Sequence, residues 1–216
     1  MSFLLSKVKN KILHVFRQSP LIGRWILYLD PKKYWEKRGG ETYFGEQESR
    51  IDRTVTSEFI ADEICLLGGE TILEVGCDYG KILRDLRKRT HAQLYGIDFS
   101  SSQLKKAVDY LEGLDNILLL KGNAVSLPFL DKSIDIVFTS NVILHNPPRI
   151  ADRIRKEILR VAKKYVVHKE DVDVNFSRYG YDHAKIYQKM NLRVLRSEKV
   201  ESAVDKELTQ FTIVQK

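Results

Sequence analysis

Short apolar segments alternate with amphipathic segments from residue 71 to residue 168 of the chain. The apolar runs predict strands over residues 71–75, 93–97, 117–120, 134–139 and 165–168. The intervening segments carry apolar residues at helical spacing and predict helices over residues 81–90, 101–112 and 149–162. Because strands that are apolar on both faces are typical of a parallel sheet covered by helices, this alternation predicts an open α/β sheet.

The C-terminal part of the chain departs from this alternation. Residues 182–190 predict a further helix, and residues 192–199 and 208–215 predict two strands. The polar stretch 200–207 joins these strands, which could therefore form an antiparallel hairpin. The sheet is then expected to be mostly parallel, with a hairpin at its end.

Two helical patterns precede the alternation. Residues 51–67 carry apolar side chains at helical spacing, and two glycines follow them as a C-cap. Residues 3–16 form an amphipathic pattern that Pro20 ends. We therefore expect a basic helical N-terminal extension, with a lid, over residues 1–45 and a single domain over residues 46–216.

The formal net charge of +7 is concentrated at one end of the chain. Residues 1–40 contain nine Lys or Arg and two Asp or Glu side chains, so this segment carries +7 and residues 41–216 are neutral. A basic protein often binds nucleic acid, but a neutral domain makes that partner unexpected here. Three interpretations stay open for residues 1–30: a helix on an anionic membrane surface, a helix that docks on a partner, or a helix packed on its own domain.

Cysteine content and the N-terminus indicate a cellular compartment. Cys65 and Cys77 are too few for a disulfide framework or a four-cysteine zinc site, and no metal ligands are expected. The N-terminus lacks the order of features that marks a signal peptide. Its longest apolar stretch, residues 21–29, is far shorter than the ~20 residues that span a bilayer. These features predict a cytoplasmic protein, with peripheral contact at the inner membrane surface as an open alternative.

The strongest local motif is Ile72-Leu-Glu-Val-Gly-Cys-Asp-Tyr-Gly80, in which a strand passes through a glycine-containing turn into a helix. Glycine allows the backbone to approach a ligand or to adopt a positive φ. The next strand ends at Asp98, where a carboxylate can accept both hydroxyls of a ribose. A tight turn that binds nothing is the alternative for the loop alone. With Asp98 in place, the arrangement favours a nucleotide-type ligand at the strand ends.

Five segments in chain order resemble the class I S-adenosylmethionine-dependent methyltransferases of the small-molecule and saccharide type, from about residue 51 to the C-terminus. Glu74-Val-Gly-Cys-Asp-Tyr-Gly80 is similar to the first motif of that family, and Gly96-Ile-Asp98 is similar to the second. Three more segments resemble the adenine-lining loop, the fourth strand and the helix before the fifth strand: Gly122–Phe129, Ser133–Phe138 and Glu157–Val161.

The resemblance implies a fold, a cofactor and a set of site residues. The fold is a Rossmann-like, doubly wound, mostly parallel seven-stranded sheet in the order 3-2-1-4-5-7-6, with a C-terminal antiparallel hairpin. The cofactor is S-adenosyl-L-methionine, and the product is S-adenosyl-L-homocysteine. The residues then expected to bind the cofactor are Glu74, Gly76, Cys77, Asp78, Gly80, Asp98, Phe99, Asn123, Ala124 and Asn141.

Two positions depart from the family pattern. Asp78 stands where the family usually has its middle glycine, so its side chain must point away from the methionine moiety or contact its ammonium group. Asn123 replaces the usual aspartate near the adenine, and an amide still offers an acceptor to the exocyclic amine. Cofactor binding is therefore still expected.

His145 is the candidate catalytic residue. The cofactor carries the activated methyl group, so the protein mainly positions reactants and excludes water. A hydroxyl acceptor benefits from a base, and His145 follows the fourth predicted strand, at the edge where ligands bind. The alternative is a role in orientation or packing. Asn141 is likewise expected either to contact a ligand or to hold its own loop.

Three further segments have two interpretations each. Residues 168–171 follow the fifth predicted strand and either meet substrate or, as the favoured interpretation, form a solvated charged loop. The aromatic and polar residues 178–183 form either a substrate wall or part of the core. Residues 34–44 place two glycines between aromatic pairs, which suits a mobile lid or a packed extension.

Taken together, the sequence predicts O-methylation of a small-molecule or saccharide hydroxyl, on a surface glycan or a lipid-linked saccharide. The alternatives are a methyltransferase of a quinone or secondary metabolite, and a non-catalytic scaffold that binds the cofactor. An RNA methyltransferase is disfavoured, because Asn146-Pro-Pro-Arg149 lacks the aromatic residue of the catalytic Asn-Pro-Pro-Tyr motif. The acceptor and the oligomeric state are left open, because specificity lies in variable loops.

Overall fold

A computed structural model of the chain describes residues 31–49, 55–175, 178–201 and 206–216. The predicted helix over residues 3–16 and the basic arm over residues 1–30 lie outside them. The described part begins with three helices: α1 (Pro31–Arg38), α2 (Glu41–Glu48) and α3 (Ser57–Leu66). The Thr56 side chain caps α3 by accepting a hydrogen bond from the Phe59 amide, so α3 begins later than the predicted start at residue 51.

The central elements follow the predicted order. Strands and helices alternate as β1 (Thr71–Val75), α4 (Lys81–Arg87), β2 (Gln93–Asp98), α5 (Ser101–Tyr110), β3 (Ile117–Lys121), β4 (Ile134–Ser140), α6 (Pro148–Val161) and β5 (Ala162–Asp171). A single 3₁₀ turn, Ile143–His145, connects β4 to α6. The C-terminal elements are α7 (His183–Lys189), β6 (Arg193–Glu201) and β7 (Leu208–Gln215).

All seven strands form one sheet in the order β3-β2-β1-β4-β5-β7-β6. Strands β1 to β5 are parallel, and β7 lies antiparallel between β5 and β6. The predicted fold class and its C-terminal hairpin are therefore confirmed. Because the strand order reverses between β1 and β4, a crevice opens at the carboxyl ends of these strands, where ligands bind in such sheets.

The two faces of the sheet are buried in separate hydrophobic clusters. Ile72 of β1 lies in the cluster that contains Ile60 of α3 and Leu83 of α4. Leu73, the next residue, points to the opposite face and lies in the cluster that contains Ile154 of α6. Side chains of α7 complete the second cluster through Tyr187, which is fully buried. This double burial explains why consecutive residues of β1 such as Ile72 and Leu73 are both apolar.

Strand β5 is longer than the apolar run predicted, and this changes the interpretation of residues 168–171. The strand continues through Lys169, Glu170 and Asp171, which pair with β7. His168 and Glu170 are fully buried, so the favoured interpretation of a solvated charged loop is wrong. Charged residues can continue a strand here because β7 satisfies their backbone groups and neighbouring side chains satisfy their polar atoms.

The division into an extension over residues 1–45 and a domain over residues 46–216 stays a prediction. The structure describes α2 as one helix on both sides of that boundary, Glu41–Glu48. In the described part of the chain, no helix is long and apolar enough to cross a bilayer.

Candidate cofactor and acceptor site

A cavity of about 960 Å³ lies at the carboxyl edge of the sheet, where the strand order reverses. Its volume is in the range of small-molecule sites. Eight of the eleven predicted site residues line it: Gly76, Asp78, Asp98, Phe99, Asn123, Ala124, Asn141 and His145. The fold thus brings together residues from four different loops, which follow β1, β2, β3 and β4.

The loop after β1 turns tightly against the end of β2. The amides of Gly76 and Cys77 both donate to the carbonyl of Ile97, at 2.7 and 3.1 Å. Gly76 has a φ of +77°, and a Cβ there would lie 2.4 Å from Cγ2 of Val142. A side chain at Gly76 would therefore be strained by its backbone and would clash with the loop after β4. At Gly76 the floor of the cavity is therefore formed by backbone atoms and not by a side chain.

Asp98 is fixed at the end of β2 by the loop that it faces. One carboxylate oxygen accepts from the amide of Asp78 at 3.1 Å, and the other accepts from the amide of Ser100 at 2.8 Å. Burial raises the pKa of Asp98, while the backbone donors at Ser100, Asp78 and Phe99 oppose that rise. The carboxylate is thus oriented toward the cavity by two backbone N–H groups.

Three predicted cofactor residues lie beneath the cavity rather than on its wall. Glu74 and Cys77 are almost completely buried. Burial raises the pKa of the Cys77 thiol well above its usual value, which keeps the sulfur protonated and unreactive. Gly80 begins α4 with a φ of +85°, and a Cβ there would lie 2.7 Å from Leu111. These positions shape the loop, and their contact with a cofactor stays a prediction.

Three carboxylates converge around the glycine loop. Glu74 lies below it, and burial, followed by the nearby negative charges of Asp78 and Asp98, raises the pKa of Glu74 well above its usual value. Among the described residues, no Lys or Arg forms an ion pair with Glu74 or Asp98. Glu74 therefore lies buried close to other carboxylates, which disfavours its charged form.

This arrangement predicts an unusual pH dependence for Glu74. Because its folded-state pKa is raised, stability is fully present below the unfolded pKa near 4.5 and is lost as the pH rises toward the folded value. Glu74→Gln mimics the protonated form and should raise the free energy of unfolding at pH 8 by about 1–3 kcal/mol, the cost of an unsatisfied buried polar group. Urea denaturation at pH 5 and pH 8 measures the difference, which should shrink toward pH 5.

Glu157→Gln is the matched control for this prediction. A hydrogen bond from Arg160 lowers the pKa of Glu157, so Glu157 stabilises the fold above its unfolded pKa. Its replacement should lower stability at pH 8, with the sign opposite to that of Glu74→Gln. A stability gain for Glu74→Gln that grows as the pH falls would contradict the assignment.

The loop after β3 forms another part of the cavity wall. Its residues Asn123, Ala124 and Val125 line the cavity beside Phe99. The Asn123 side-chain oxygen accepts from the amide of Val125 at 3.1 Å, so the amide group stabilises its own turn. The side-chain nitrogen then supplies the donor that an aspartate at this position would lack.

The loop after β4 carries Asn141 and His145. Asn141 has a φ of +56° and binds Asp171 twice: its Nδ2 donates to the Asp171 carboxylate at 3.0 Å, and its oxygen accepts from the Asp171 amide at 3.1 Å. The structure therefore supports the loop-holding interpretation of Asn141, although its side chain also faces the cavity. His145 ends the 3₁₀ turn and packs edge-on against Trp35, with ring centroids 5.1 Å apart.

Helices α1 and α2 cover one side of the cavity with Trp35, Tyr43 and Gln47. Helix α1 is held to the start of α5: the Glu36 carboxylate accepts from the Ser101 amide at 2.9 Å.

Helix α2 is held to the glycine loop and to α4. The Glu48 carboxylate accepts from the Tyr79 hydroxyl at 2.9 Å and from Lys81 at 2.7 Å. Phe44 of the same helix packs edge-on against the ring of Tyr79, with centroids 5.0 Å apart. Residues 34–44 thus cover one side of the cavity and pack on the domain, so the lid and the packed extension both stay predictions.

Several cavity residues were missed by the sequence reasoning. Ile150, Arg153 and Ile154 share one face of α6 at helical spacing, a signal that could have placed them together. Asp171 and Arg178, which belong to the segments 168–171 and 178–183 considered above as possible substrate contacts, also line the cavity and lie 3.4 Å apart. Their pairing depends on the extension of β5, which no local pattern indicated.

Comparison with known proteins identifies the family. Residues 72–165, which contain the glycine loop, Asp98 and His145, match the family model described as a methyltransferase domain. The match relates this segment, somewhat less than half of the chain, to methyltransferase domains. The resemblance to class I S-adenosylmethionine-dependent methyltransferases is thereby confirmed for the family and the fold.

The methyltransferase domain is similar to curated proteins and to solved structures. It is 33% identical over 108 residues to sterol 24-C-methyltransferase ERG6A of Gibberella zeae, which is 49% of this chain and 28% of that protein. It is 31% identical over 110 residues to methyltransferase GfsG of Streptomyces halstedii, covering 50% of this chain and 39% of that protein. The chain thus spans well under half the length of these relatives.

A solved structure extends the likeness beyond the matched segment. Magnesium protoporphyrin IX methyltransferase from Synechocystis PCC 6803 with bound SAM superposes with a TM-score of 0.66 at 15% identity. The alignment covers 87% of this chain and 97% of that one. At this identity, the likeness establishes the fold.

Proposed function

We propose that this protein transfers a methyl group from S-adenosylmethionine to a hydroxyl of a small-molecule or saccharide acceptor. The observation that carries the proposal is the cluster of Glu74, Asp78 and Asp98 at the crevice of a methyltransferase domain. The cofactor carries two positive groups, an ammonium and a sulfonium. A cationic ligand would offset the negative charge that raises the pKa of Glu74, so the residues present fit this cofactor.

The described residues can bind each part of such a cofactor. Asp98, held by two backbone N–H groups, presents lone pairs to the ribose hydroxyls. Phe99, Asn123 and Ala124 would line the adenine, because they belong to adjacent loops of the cavity wall. Gly76 lines the cavity beside Asp78 and would lie against the methionine part.

When bound, the cofactor would supply a methyl group activated by a sulfonium sulfur. The acceptor oxygen would bond to the methyl carbon, and the sulfur would leave as the thioether of S-adenosylhomocysteine. His145 faces the cavity from the loop after β4 and would take the proton of the acceptor hydroxyl as the new carbon–oxygen bond forms. Trp35 and Tyr43 cover this region and would exclude water. These side chains can also pack on the apolar face of a sugar or of a planar ring.

Methylation at carbon of an apolar acceptor is a second candidate. It is favoured by the names of several relatives, which are sterol 24-C-methyltransferases. Ile150, Ile154 and the aromatic cover give the cavity apolar walls that suit such an acceptor. Quinone or secondary-metabolite acceptors are compatible with the same walls.

An acceptor screen tests the proposal. The whole chain is incubated with S-adenosylmethionine and panels of saccharides, lipid-linked saccharides, quinones and sterols, and homocysteine release from the product is measured. Turnover with a hydroxyl-bearing panel supports O-methylation, whereas turnover with sterols alone supports the second candidate. Cofactor binding without turnover on any panel would favour the non-catalytic scaffold.

Peripheral membrane contact through residues 1–30 stays a prediction that would bring the enzyme to a lipid-linked acceptor. The segment pairs apolar residues with lysines, as helices on anionic membranes do. The full chain should co-sediment with vesicles that contain anionic lipid, and a variant without residues 1–30 should stay in the supernatant. Equal partitioning of both proteins would contradict the prediction.

A further inference from the structure

Glu170 at the end of β5 is a fully buried carboxylate surrounded by hydrogen-bond donors. One oxygen accepts from the amides of Val142 and Ile143, both at 3.2 Å, and the other accepts from the amide of Leu144 at 3.1 Å. Three consecutive amides of the turn that leads to His145 therefore point at one side chain. The Glu170 side chain does not line the cavity, so its effect on a ligand would be indirect.

A fourth donor links Glu170 to a chain of buried groups. The Thr139 hydroxyl lies 2.7 Å from the Glu170 carboxylate and 2.7 Å from Nδ1 of His168. Because the hydroxyl gives its only proton to the carboxylate, Nδ1 of His168 must carry a hydrogen and donate to Thr139. Nε2 of His168 then accepts from the Tyr187 hydroxyl at 2.7 Å. This tautomer is neutral, in agreement with the pKa of His168, which burial lowers well below its usual value.

The same turn is held at both of its ends. Asn141 at its start is bound to Asp171, as described above. At its end, Nδ2 of Asn146 donates to the carbonyl of Val142 at 2.8 Å, and the Tyr181 hydroxyl donates to the carbonyl of Asn146 at 2.6 Å. Glu170 holds the middle of the turn, so no peptide group between Val142 and Leu144 can rotate without breaking a hydrogen bond to this buried side chain.

From this geometry we infer that Glu170 is a positioning residue that sets the orientation of His145 toward the acceptor. The inference rests on the proposed function. His145 follows directly after the three bound amides, and its ring is held from the other side by Trp35. A displacement of about 1 Å in a reacting group can cost 10²-fold in rate, so the turn must be fixed for His145 to act.

Glu170→Gln tests this role because it keeps the size of the side chain, removes its charge and turns one acceptor into a donor facing an amide. We expect turnover with the acceptor from the screen to fall roughly 10- to 100-fold, with little change in KM. S-adenosylhomocysteine affinity should stay within about threefold, since the hydrogen bonds from the amides of residues 142–144 join Glu170 to the loop after β4 and not to the loops after β1, β2 and β3. The ring-proton resonances of His145 should shift by more than a line width, because the ring moves relative to Trp35.

Three variants separate positioning from general loss of stability. Asp135→Asn removes a buried carboxylate that accepts from the Glu70 amide at the opposite edge of the sheet, so it should lower stability without moving the His145 resonances. Thr139→Val removes the fourth donor and should reproduce part of the Glu170→Gln effect. Thr139→Ser keeps the hydroxyl and should restore the wild-type resonances and turnover.

The outcomes distinguish the inference from the proposed function. Failure of the wild-type chain to bind S-adenosylhomocysteine would overturn the proposed function. Unchanged His145 resonances in folded Glu170→Gln would overturn the positioning role, whatever the cofactor result. If Glu170→Gln does not fold, the pair Thr139→Val and Thr139→Ser decides: identical His145 resonances in both would contradict the inference.

Discussion

Asp98→Ala is expected to weaken binding of S-adenosylmethionine and S-adenosylhomocysteine by roughly 30- to 1,000-fold. The reason is the loss of two hydrogen bonds from ribose hydroxyls to a charged acceptor, each contributing about 1.5–3 kcal/mol, with partial compensation by water. The alanine also leaves the amides of Asp78 and Ser100 without the acceptor that orders their loops. Isothermal titration calorimetry with each ligand measures the change.

Two variants control for this experiment. Asp98→Asn keeps one oxygen acceptor and should fall between wild type and Asp98→Ala. Asp135→Ala removes a buried carboxylate from the start of β4, at the edge of the sheet away from the cavity, and should leave ligand affinity unchanged in the folded protein. If Asp98→Ala binds S-adenosylhomocysteine as tightly as wild type does, Asp98 has no role in ribose recognition.

His145→Ala is expected to lower kcat by about 10²- to 10⁴-fold for a hydroxyl acceptor, the range of general acid–base catalysis. Affinity for S-adenosylhomocysteine should change little, because all the residues expected to bind the cofactor except Asn141 lie in the loops after β1, β2 and β3. Homocysteine release with the acceptor found in the screen gives kcat and KM. The same assay over a range of pH should show a fall in rate at low pH for wild type, where the base is protonated. This fall should be absent in His145→Ala.

His91→Ala provides the matched control for His145. His91 is an exposed histidine between α4 and β2, at the edge of the sheet away from the cavity. Its replacement should leave turnover unchanged. Turnover of His145→Ala equal to that of wild type would remove the base assignment and would leave His145 as a packing partner of Trp35.

The order of elements was predictable because each strand is buried on both faces. Residues 71–75 and 134–139 are mostly apolar, with a single carboxylate in each run, Glu74 and Asp135. The reversal of strand order between β1 and β4 came from the resemblance to a family, because local periodicity carries no information on which strands become neighbours. The apolar pattern of residues 192–199 and 208–215 indicated the hairpin of β6 and β7. Its place beside β5 came from the resemblance alone.

The candidate site was predictable where it depends on a contiguous motif. Gly76 and Asp98 are separated by one strand–helix–strand unit, so their meeting follows from local structure. The support around His145 depends on contacts between distant segments, such as Glu170 with the amides of residues 142–144. Charge suggested that Glu170 is exposed, but the extension of β5 along β7 buries it. Tertiary pairing therefore overrode the preference of a charged residue for solvent.

The cavity residues contributed by Trp35 and Arg178 were the least predictable part of the site. Trp35 belongs to a short helix whose position depends on hydrogen bonds with α5, and Arg178 depends on Asp171 for its place. No spacing in the sequence links these residues to His145. They are also residues on which acceptor choice is expected to depend, since they line the cavity but lie outside the loops that are expected to bind the cofactor.

Calorimetric titration of the full chain with S-adenosylhomocysteine tests the central claim most directly, because it requires no acceptor. The account predicts saturable binding at a single site, weakened strongly by Asp98→Ala and unaffected by His91→Ala. The absence of binding at millimolar ligand by folded protein would contradict the assignment of the cavity to this cofactor.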